Sequence, residues 1–388
     1  MKTQTQPIRI LYINGSALLY GAERRLLDII ENLDHRKFEA VVLLSQEGPF
    51  AEKLKDEGIE TVFLDFKFKI LFKNIGRFFE ITKTFLWILK EYRIDIVHVN
   101  LHYLTSNLWL AFLLSRKPVI MHLRAHVWLA IFEKFVMARC ARIICVSDFV
   151  RRSFFSKRRS DFIVSANKDR LEVLYDGIDV EKFSADPEAG VLRQELAAGN
   201  NEKLVGMISA IDPIKGQDIF ILAARRVCDK YPKTRFVIVG ELYCETKKKK
   251  EFKERLIRLI EKLGLEKNVH MFGFRENIPE IMNSIDILVQ PSAHEALGTS
   301  LVEAMACKKP VIGSSVDGIP EVIGSDGAGV LLETRTPQAL AEAVLFYLER
   351  PQEAQQAGII ARKRVEEIFD MKKNVSRLES IYHKLAKR

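Results

Sequence analysis

The sequence predicts an α/β protein of two doubly wound, Rossmann-like domains facing one cleft. Three observations carry the prediction. The chain has 388 residues, more than one hydrophobic core comfortably supports. Short apolar runs alternate with helix-period segments through both halves, the pattern of strand–helix units on parallel sheets. A Gly-containing loop follows the run Ile8 to Ile13 and a small-residue loop follows the run Ile285 to Gln290, where open sheets of this class bind ligands. The composition, 48% hydrophobic and 29% charged, is that of an ordinary globular protein. A formal charge of +9 favours anionic partners.

The first half opens with the run Ile8 to Ile13, then Asn14-Gly15-Ser16, then Gly21-Ala22-Glu23 and a helical pattern at Leu26, Leu27, Ile29, Ile30 and Leu33. Gly15 and Gly21 allow a close backbone approach to a ligand, or simply a tight turn. The spacing is not G-x-G-x-x-G, so it makes no dinucleotide fingerprint. Strands are expected at 40–44, 61–64, 94–99, 118–123 and 143–146. Arg124-Ala125-His126 lies just past one of these strand ends, a ligand-facing position. Residues 66–93 mix six phenylalanines and Trp87 with seven basic residues, opposed in charge by Glu80 and Glu91. Two readings stand: a core helix with a solvated basic face, or a surface that meets an anionic membrane.

The second half repeats the design. Leu204 to Ser209 reads as a strand, and Asp212-Pro213-Ile214-Lys215-Gly216-Gln217-Asp218 leads into a helix. Lys215 stands at that helix's N-terminus, where a cation is disfavoured by about 0.3–1 kcal/mol unless an anion binds or a local ion pair with Asp212 or Asp218 offsets the cost. Residues 247–263 read as a solvated, charged helix, and strands are expected at 236–240 and 269–272. The most informative stretch is His294-Glu295-Ala296-Leu297-Gly298-Thr299-Ser300-Leu301-Val302-Glu303. It joins a strand-like run, 285–290, to a helix whose N-terminus points at the loop. Such a terminus seats phosphate, while two carboxylates beside it suit sugar or ribose hydroxyls. Ser300-x-x-Glu303 can equally be a capping box serving its own helix. Strands at 310–313 and 329–332 and helices from Pro337, Pro351 and Val365 complete the chain.

Glu295 and Glu303, with seven residues between them, resemble the paired glutamates of retaining glycosyltransferases of the GT-B fold, family four. Gly318-Ile319-Pro320-Glu321 resembles the same family, and the likeness is most specific from Leu204 to Ile323. The resemblance implies a nucleotide-diphosphate sugar as donor, a glycan or lipid-linked acceptor, retention at the anomeric carbon, and no metal or other cofactor. It places Gly15, Gly21, Lys215, Leu297, Gly298, Thr299, Ser300 and Glu303 at the nucleotide sugar, and Glu295, Arg124 and His126 at the chemistry. The chain departs from the pattern in three places. Arg124 occupies the slot of the family's histidine, with His122 and His126 two residues either side. Ala210 stands where an arginine usually joins the lysine. Asp176 replaces the asparagine of an asparagine-glycine turn.

The implied domains are 1–184 on the acceptor side, a linker region at 185–203, a nucleotide-sugar domain at 204–364, and a terminal helical segment at 365–388 that returns to the first domain. Five cysteines without C-x-x-C spacing argue against a disulfide framework and a zinc site. Met1 to Pro7 lacks a signal-peptide core, and no run reaches membrane-spanning length. A cytoplasmic enzyme is expected, peripheral on the membrane if 66–93 docks there. Two alternatives remain at this level. A nucleotide-sugar 2-epimerase has a similar fold, but its acid/base pattern is not found. A non-enzymatic basic protein binding lipid or nucleic acid explains the charge but not the 295–303 loop, and no nucleic-acid module is recognised.

Overall fold

The computed structural model describes residues 6–66, 75–101, 107–125, 136–155, 168–184, 190–199, 201–242 and 246–387. The chain divides into two compact units, Met1–Gly177 with Met371–Arg388, and Ile178–Asp370. Each is a parallel α/β layer structure.

The first unit holds β1 (Ile8–Ile13), β2 (Phe38–Leu44), β3 (Glu60–Phe63), β4 (Ile96–Val99), β5 (Val119–Leu123), β6 (Arg142–Cys145) and β7 (Leu171–Val173). They form one sheet in the order β3-β2-β1-β4-β5-β6-β7. Ile10 through Ile13 are fully buried, which is why β1 reads as a continuous apolar run instead of alternating. Ile10 pairs with Ala40 on one side and with Ile96 on the other. The strand order therefore reverses between β1 and β4, which splays the segments leaving their C-terminal ends. Asn14 and Asn100 are the first residues beyond those ends.

The helix Gly21–Glu31 lays Leu26, Leu27, Ile29 and Ile30 on this sheet. The last helix, Met371–Ala386, joins the same core through Met371, Val375, Leu378, Ile381, Tyr382 and Leu385. That spacing puts one apolar stripe against the sheet, and each buried Leu or Ile contributes about 1.5–3 kcal/mol. The terminal segment does not run as one helix from Val365. Residues Val365–Phe369 form a π-helical turn and Asp370 is extended at φ −65°, ψ 125°. The extension has a cause: Ile178 donates to the Phe369 carbonyl at 2.8 Å and bridges to Asp370, and a bridge needs extended backbone.

The helix Ile75–Glu91 buries Phe78, Ile81, Thr82, Phe85, Ile88 and Leu89, so one face is core. Ile75, Phe79 and Trp87 nevertheless stand 53%, 57% and 55% exposed. They share a face at i, i+4, i+12 spacing with exposed Lys83. Residues 67–74, the rest of that basic stretch, lie outside the described residues.

The second unit holds β8 (Leu204–Ile208), β9 (Arg235–Val239), β10 (Val269–Met271), β11 (Ile287–Gln290), β12 (Val311–Ser314) and β13 (Gly329–Leu332). Their order is β10-β9-β8-β11-β12-β13, again parallel, with the reversal between β8 and β11. The loops 209–216 and 291–298 leave the two strands at that reversal. The short helix Val191–Glu195 belongs to this unit: Leu192 is buried and its N–H donates to Ser284 Oγ at 3.0 Å. The helix Lys247–Lys262 is less free than a solvated surface helix. Lys249 reaches Asp212 at 2.7 Å and Lys253 reaches Glu241 at 2.7 Å.

Candidate functional site

In the second unit the two reversal-point loops are zipped together, Ala293 N–H donating to the Ile214 carbonyl at 2.7 Å. Lys215 Nζ pairs with neither Asp212 nor Asp218, which are engaged by Lys249 and by the Ile219 N–H, but lies 2.6 Å from Glu295 Oε2, and Gln290 Nε2 donates to that same oxygen at 2.6 Å. Ser300 Oγ donates to Gln290 Oε1 at 2.9 Å. Two side chains, Lys215 and Gln290, thus converge on one carboxylate, and Ser300 at the helix start holds Gln290. Lys215 and Glu295 keep side-chain exposures of 21% and 15%, enough to face a ligand.

The Glu295 backbone is gripped from the far side. Its N–H donates to Asp317 Oδ2 at 3.0 Å, and Gly318 N–H donates to its carbonyl at 3.0 Å. A Cβ on Gly318 would fall 2.1 Å from the Ala296 carbonyl oxygen. The glycine of the Gly318-Ile319-Pro320-Glu321 motif is therefore the contact surface on which the Glu295 loop rests.

The capping-box reading of Ser300 and Glu303 does not hold. The helix Thr299–Ala306 is capped by Gly298 in the left-handed conformation, at φ 94°, with no side-chain cap. Ser300 is already inside the first turn and bonds Gln290 instead, and Glu303 lies beyond the positions a capping box serves. The helix Gln217–Lys230 starts the same way, on Gly216 with no side-chain cap. Neither N-terminus carries a side-chain cap, although in the Gln217–Lys230 helix the Ile219 N–H donates to Asp218 Oδ1 at 3.0 Å. Leu297 is 3% exposed, so its backbone, not its side chain, is what it can offer a ligand. Glu303 is 9% exposed.

A second polar cluster occupies the strand ends of the first unit. Arg124 Nε donates to Asn100 Oδ1 at 2.9 Å, and Asn100 Nδ2 donates to Asn14 Oδ1 at 2.9 Å. Asn14 Nδ2 reaches Glu23 Oε1 at 3.2 Å. Arg124 also pairs with Asp176. Burial pushes the Glu23 carboxyl up, against the pull of Asn14 and its backbone contacts. Arg124 Nη2 is buried without a hydrogen-bond partner. Gly15 and Gly21 flank this cluster along the chain. His126 lies outside the described residues.

His122 is fully enclosed beneath Arg124 and donates to or accepts from His98 at 3.3 Å, while His98 meets Tyr382 at 2.6 Å and Tyr382 meets Tyr12 at 2.9 Å. Burial is the main cause that lowers His98 to about 3 and holds His122 well below its ordinary value. Burial thus favours the uncharged form of both, and His98 joins the last helix through Tyr382.

Of the residues named from the sequence, the structure brings Lys215, Glu295 and Ser300 together and places Arg124 in the polar cluster of the first unit. Gln290, Asn14, Asn100 and Glu23, not named as site residues from the sequence, complete the two clusters. The available signal was a polar residue at the end of a buried strand, which Asn14, Asn100 and Gln290 share. Among the described residues no group of three or more His, Cys, Asp or Glu is placed to hold a metal ion. No helix there is long and apolar enough to cross a membrane.

Comparison with known proteins identifies the family and the fold. Residues 20–182 match the sequence model of Glycosyltransferase Family 4, and residues 190–364 match that of Glycosyl transferases group 1. A UDP-Gal:alpha-D-GlcNAc-diphosphoundecaprenol alpha-1,3-galactosyltransferase of Escherichia coli is 23% identical over 98% of both chains. The N-acetyl-alpha-D-glucosaminyl L-malate synthase of Bacillus anthracis is 30% identical over 57% of this chain. The match spans 55% of that synthase's length and 42% of a D-inositol 3-phosphate glycosyltransferase from Segniliparus rotundus. Among solved structures, Anabaena HepE in complex with UDP and glucose superposes with TM-score 0.82 at 24% identity, covering 96% of this chain and 99% of its own. A glycosyltransferase from Rickettsia africae gives TM-score 0.85 at 20% identity over 98% of this chain and 99% of its own. The two family models between them take in both units and both site loops, and the chain belongs to the family-four, group 1 glycosyltransferases of the GT-B fold.

Proposed function

We propose that the protein transfers a sugar from a nucleotide-diphosphate donor to a glycan or lipid-linked acceptor, with retention at the anomeric carbon and without a metal. The observation that carries this reading is the convergence of Lys215 and Gln290 on Glu295 beside two glycine-capped helix starts. The diphosphate sits at those N–H groups and Lys215, which stabilise the charge that develops as it leaves. Glu303 takes ribose hydroxyls. Glu295, oriented by Gln290 and by the 317–318 grip, takes hydroxyls of the transferred sugar and balances positive charge at its anomeric carbon. The C–O bond to the diphosphate breaks with its electron pair going to phosphate, the acceptor oxygen bonds to the same face, and the acceptor proton passes to the departing phosphate. Likeness to HepE, solved with UDP and glucose, supports a nucleotide-sugar donor. Likeness to an enzyme named for a diphosphoundecaprenol substrate supports a lipid-linked acceptor.

A thermal-shift screen over nucleotide-diphosphate sugars tests the donor. At about 100 times its dissociation constant a true donor adds about 2.7 kcal/mol of stability. Turnover with that donor is expected to survive EDTA; loss restored by magnesium or manganese overturns the metal-free mechanism.

The outward face of the helix Ile75–Glu91 supports a further part of the proposal, docking on an anionic membrane. Exposed aromatics beside lysines suit a leaflet interface, where each basic residue contributes about 1 kcal/mol. Binding is expected to phosphatidylglycerol vesicles and not to phosphatidylcholine vesicles, weakened by salt and abolished by Phe79→Asp with Lys83→Glu. Equal recovery in the supernatant with both vesicle types at low salt removes this part.

A further inference from the structure

We propose that Arg335 is the cation that makes the diphosphate seat electropositive; this rests on the nucleotide-diphosphate reading above. The argument starts from charge. A nucleoside diphosphate brings two or three negative charges. Lys215, the cation found from sequence, already has Glu295 at 2.6 Å. Lys249 is held by Asp212 at 2.7 Å and Lys253 by Glu241 at 2.7 Å. Ala210 carries no charge. These nearby lysines are therefore each matched by a carboxylate, and pairs of that kind attract an anion weakly.

Arg335 differs. It leaves the C-terminal end of β13, on the same edge of the sheet as Lys215 and Glu295. Its Nε donates to the Pro291 carbonyl at 2.6 Å, and no carboxylate among the described residues pairs with it. Its Nη2 lies 2.9 Å from where a Cβ on Gly216 would stand, and the Pro291 carbonyl oxygen lies 2.5 Å from that point. Gly216 is the left-handed cap of the helix Gln217–Lys230, at φ 85°. A side chain there would be strained and would collide with the arginine, so glycine opens the lane along which the guanidinium reaches the helix start. Since consecutive Cα atoms are about 3.8 Å apart, the unpaired charge lies within about 8 Å of the Lys215 backbone. Arg335 thus joins the roots of both site loops and leaves its charge uncancelled there. Arginine suits the task because it stays protonated and spends one N–H on the carbonyl while keeping others.

Charge and bracing are separable. Arg335→Gln keeps an amide donor for the Pro291 carbonyl and loses the charge; Arg335→Lys keeps the charge. Calorimetric titration with UDP and with inorganic pyrophosphate, each at low and high salt, reads the difference. The expected result is about ten-fold weaker UDP binding by Arg335→Gln, with a shallower salt dependence and the same loss for pyrophosphate, and recovery to within about three-fold by Arg335→Lys. Melting temperatures of the variants should stay near that of the wild type. Wild-type-like UDP affinity and salt dependence in Arg335→Gln overturns the inference while leaving the glycosyltransferase reading intact. Failure of the wild-type protein to bind UDP, pyrophosphate or any nucleoside diphosphate overturns both.

Discussion

Glu295→Gln is expected to lower turnover by about 10²–10³-fold while changing donor affinity less than ten-fold. The two species have nearly the same shape, so hydrogen bonds to a sugar hydroxyl largely persist. What disappears is the negative charge facing the anomeric carbon, which matters chiefly when positive charge develops there. An interaction made mainly in the transition state lowers kcat and kcat/KM together. Stability should change by no more than about 1 kcal/mol, because the Lys215 pair is partly exposed and Gln290 stays in place. Steady-state kinetics beside a donor titration and a melting curve read all three quantities. Turnover within ten-fold of wild type would show that Glu295 only positions Lys215.

Lys215→Ala is expected to weaken UDP binding by about 10²-fold, and its partner identifies the reason. In the free protein the ammonium satisfies Glu295 at 2.6 Å. A bound diphosphate competes for it, and a charged hydrogen bond of this kind is worth about 1.5–3 kcal/mol. Alanine removes that bond and also leaves the Glu295 carboxylate facing the phosphates uncompensated. The double variant Lys215→Ala, Glu295→Gln should therefore bind UDP more tightly than Lys215→Ala alone, a coupling that a double-mutant cycle measures directly. Additive losses would mean that the lysine and glutamate act on different parts of the ligand.

Much of this was legible in the sequence because buried parallel strands write themselves as apolar runs and their loops as small residues. The runs at 8–13, 204–209 and 285–290 correspond to β1, β8 and β11, and the loops after them carry the site. Other features depended on partners far along the chain. The 365–388 segment keeps helical periodicity throughout, so nothing local betrays the break at Asp370; the break comes from its bridge to Ile178. The Ser300-x-x-Glu303 spacing looked like a cap because sequence shows spacing, whereas the backbone placed Gly298 at the cap. Gln290, Asn14 and Asn100 were hidden at strand ends, where a polar residue reads as the start of a loop until a second strand end is brought beside it. Arg335 carried no motif, and its significance comes from the lane left by Gly216.

The most direct test of the central claim is the anomeric configuration of the first product. The nucleotide sugar that stabilises the protein most is incubated with enzyme, and the new anomeric proton is followed by NMR before mutarotation. Transfer or slow hydrolysis governed by Lys215 and Glu295 on the donor side predicts a product with the donor's own configuration, and its appearance should collapse in Glu295→Gln. A product of inverted configuration, or undiminished release by that variant, would contradict the account.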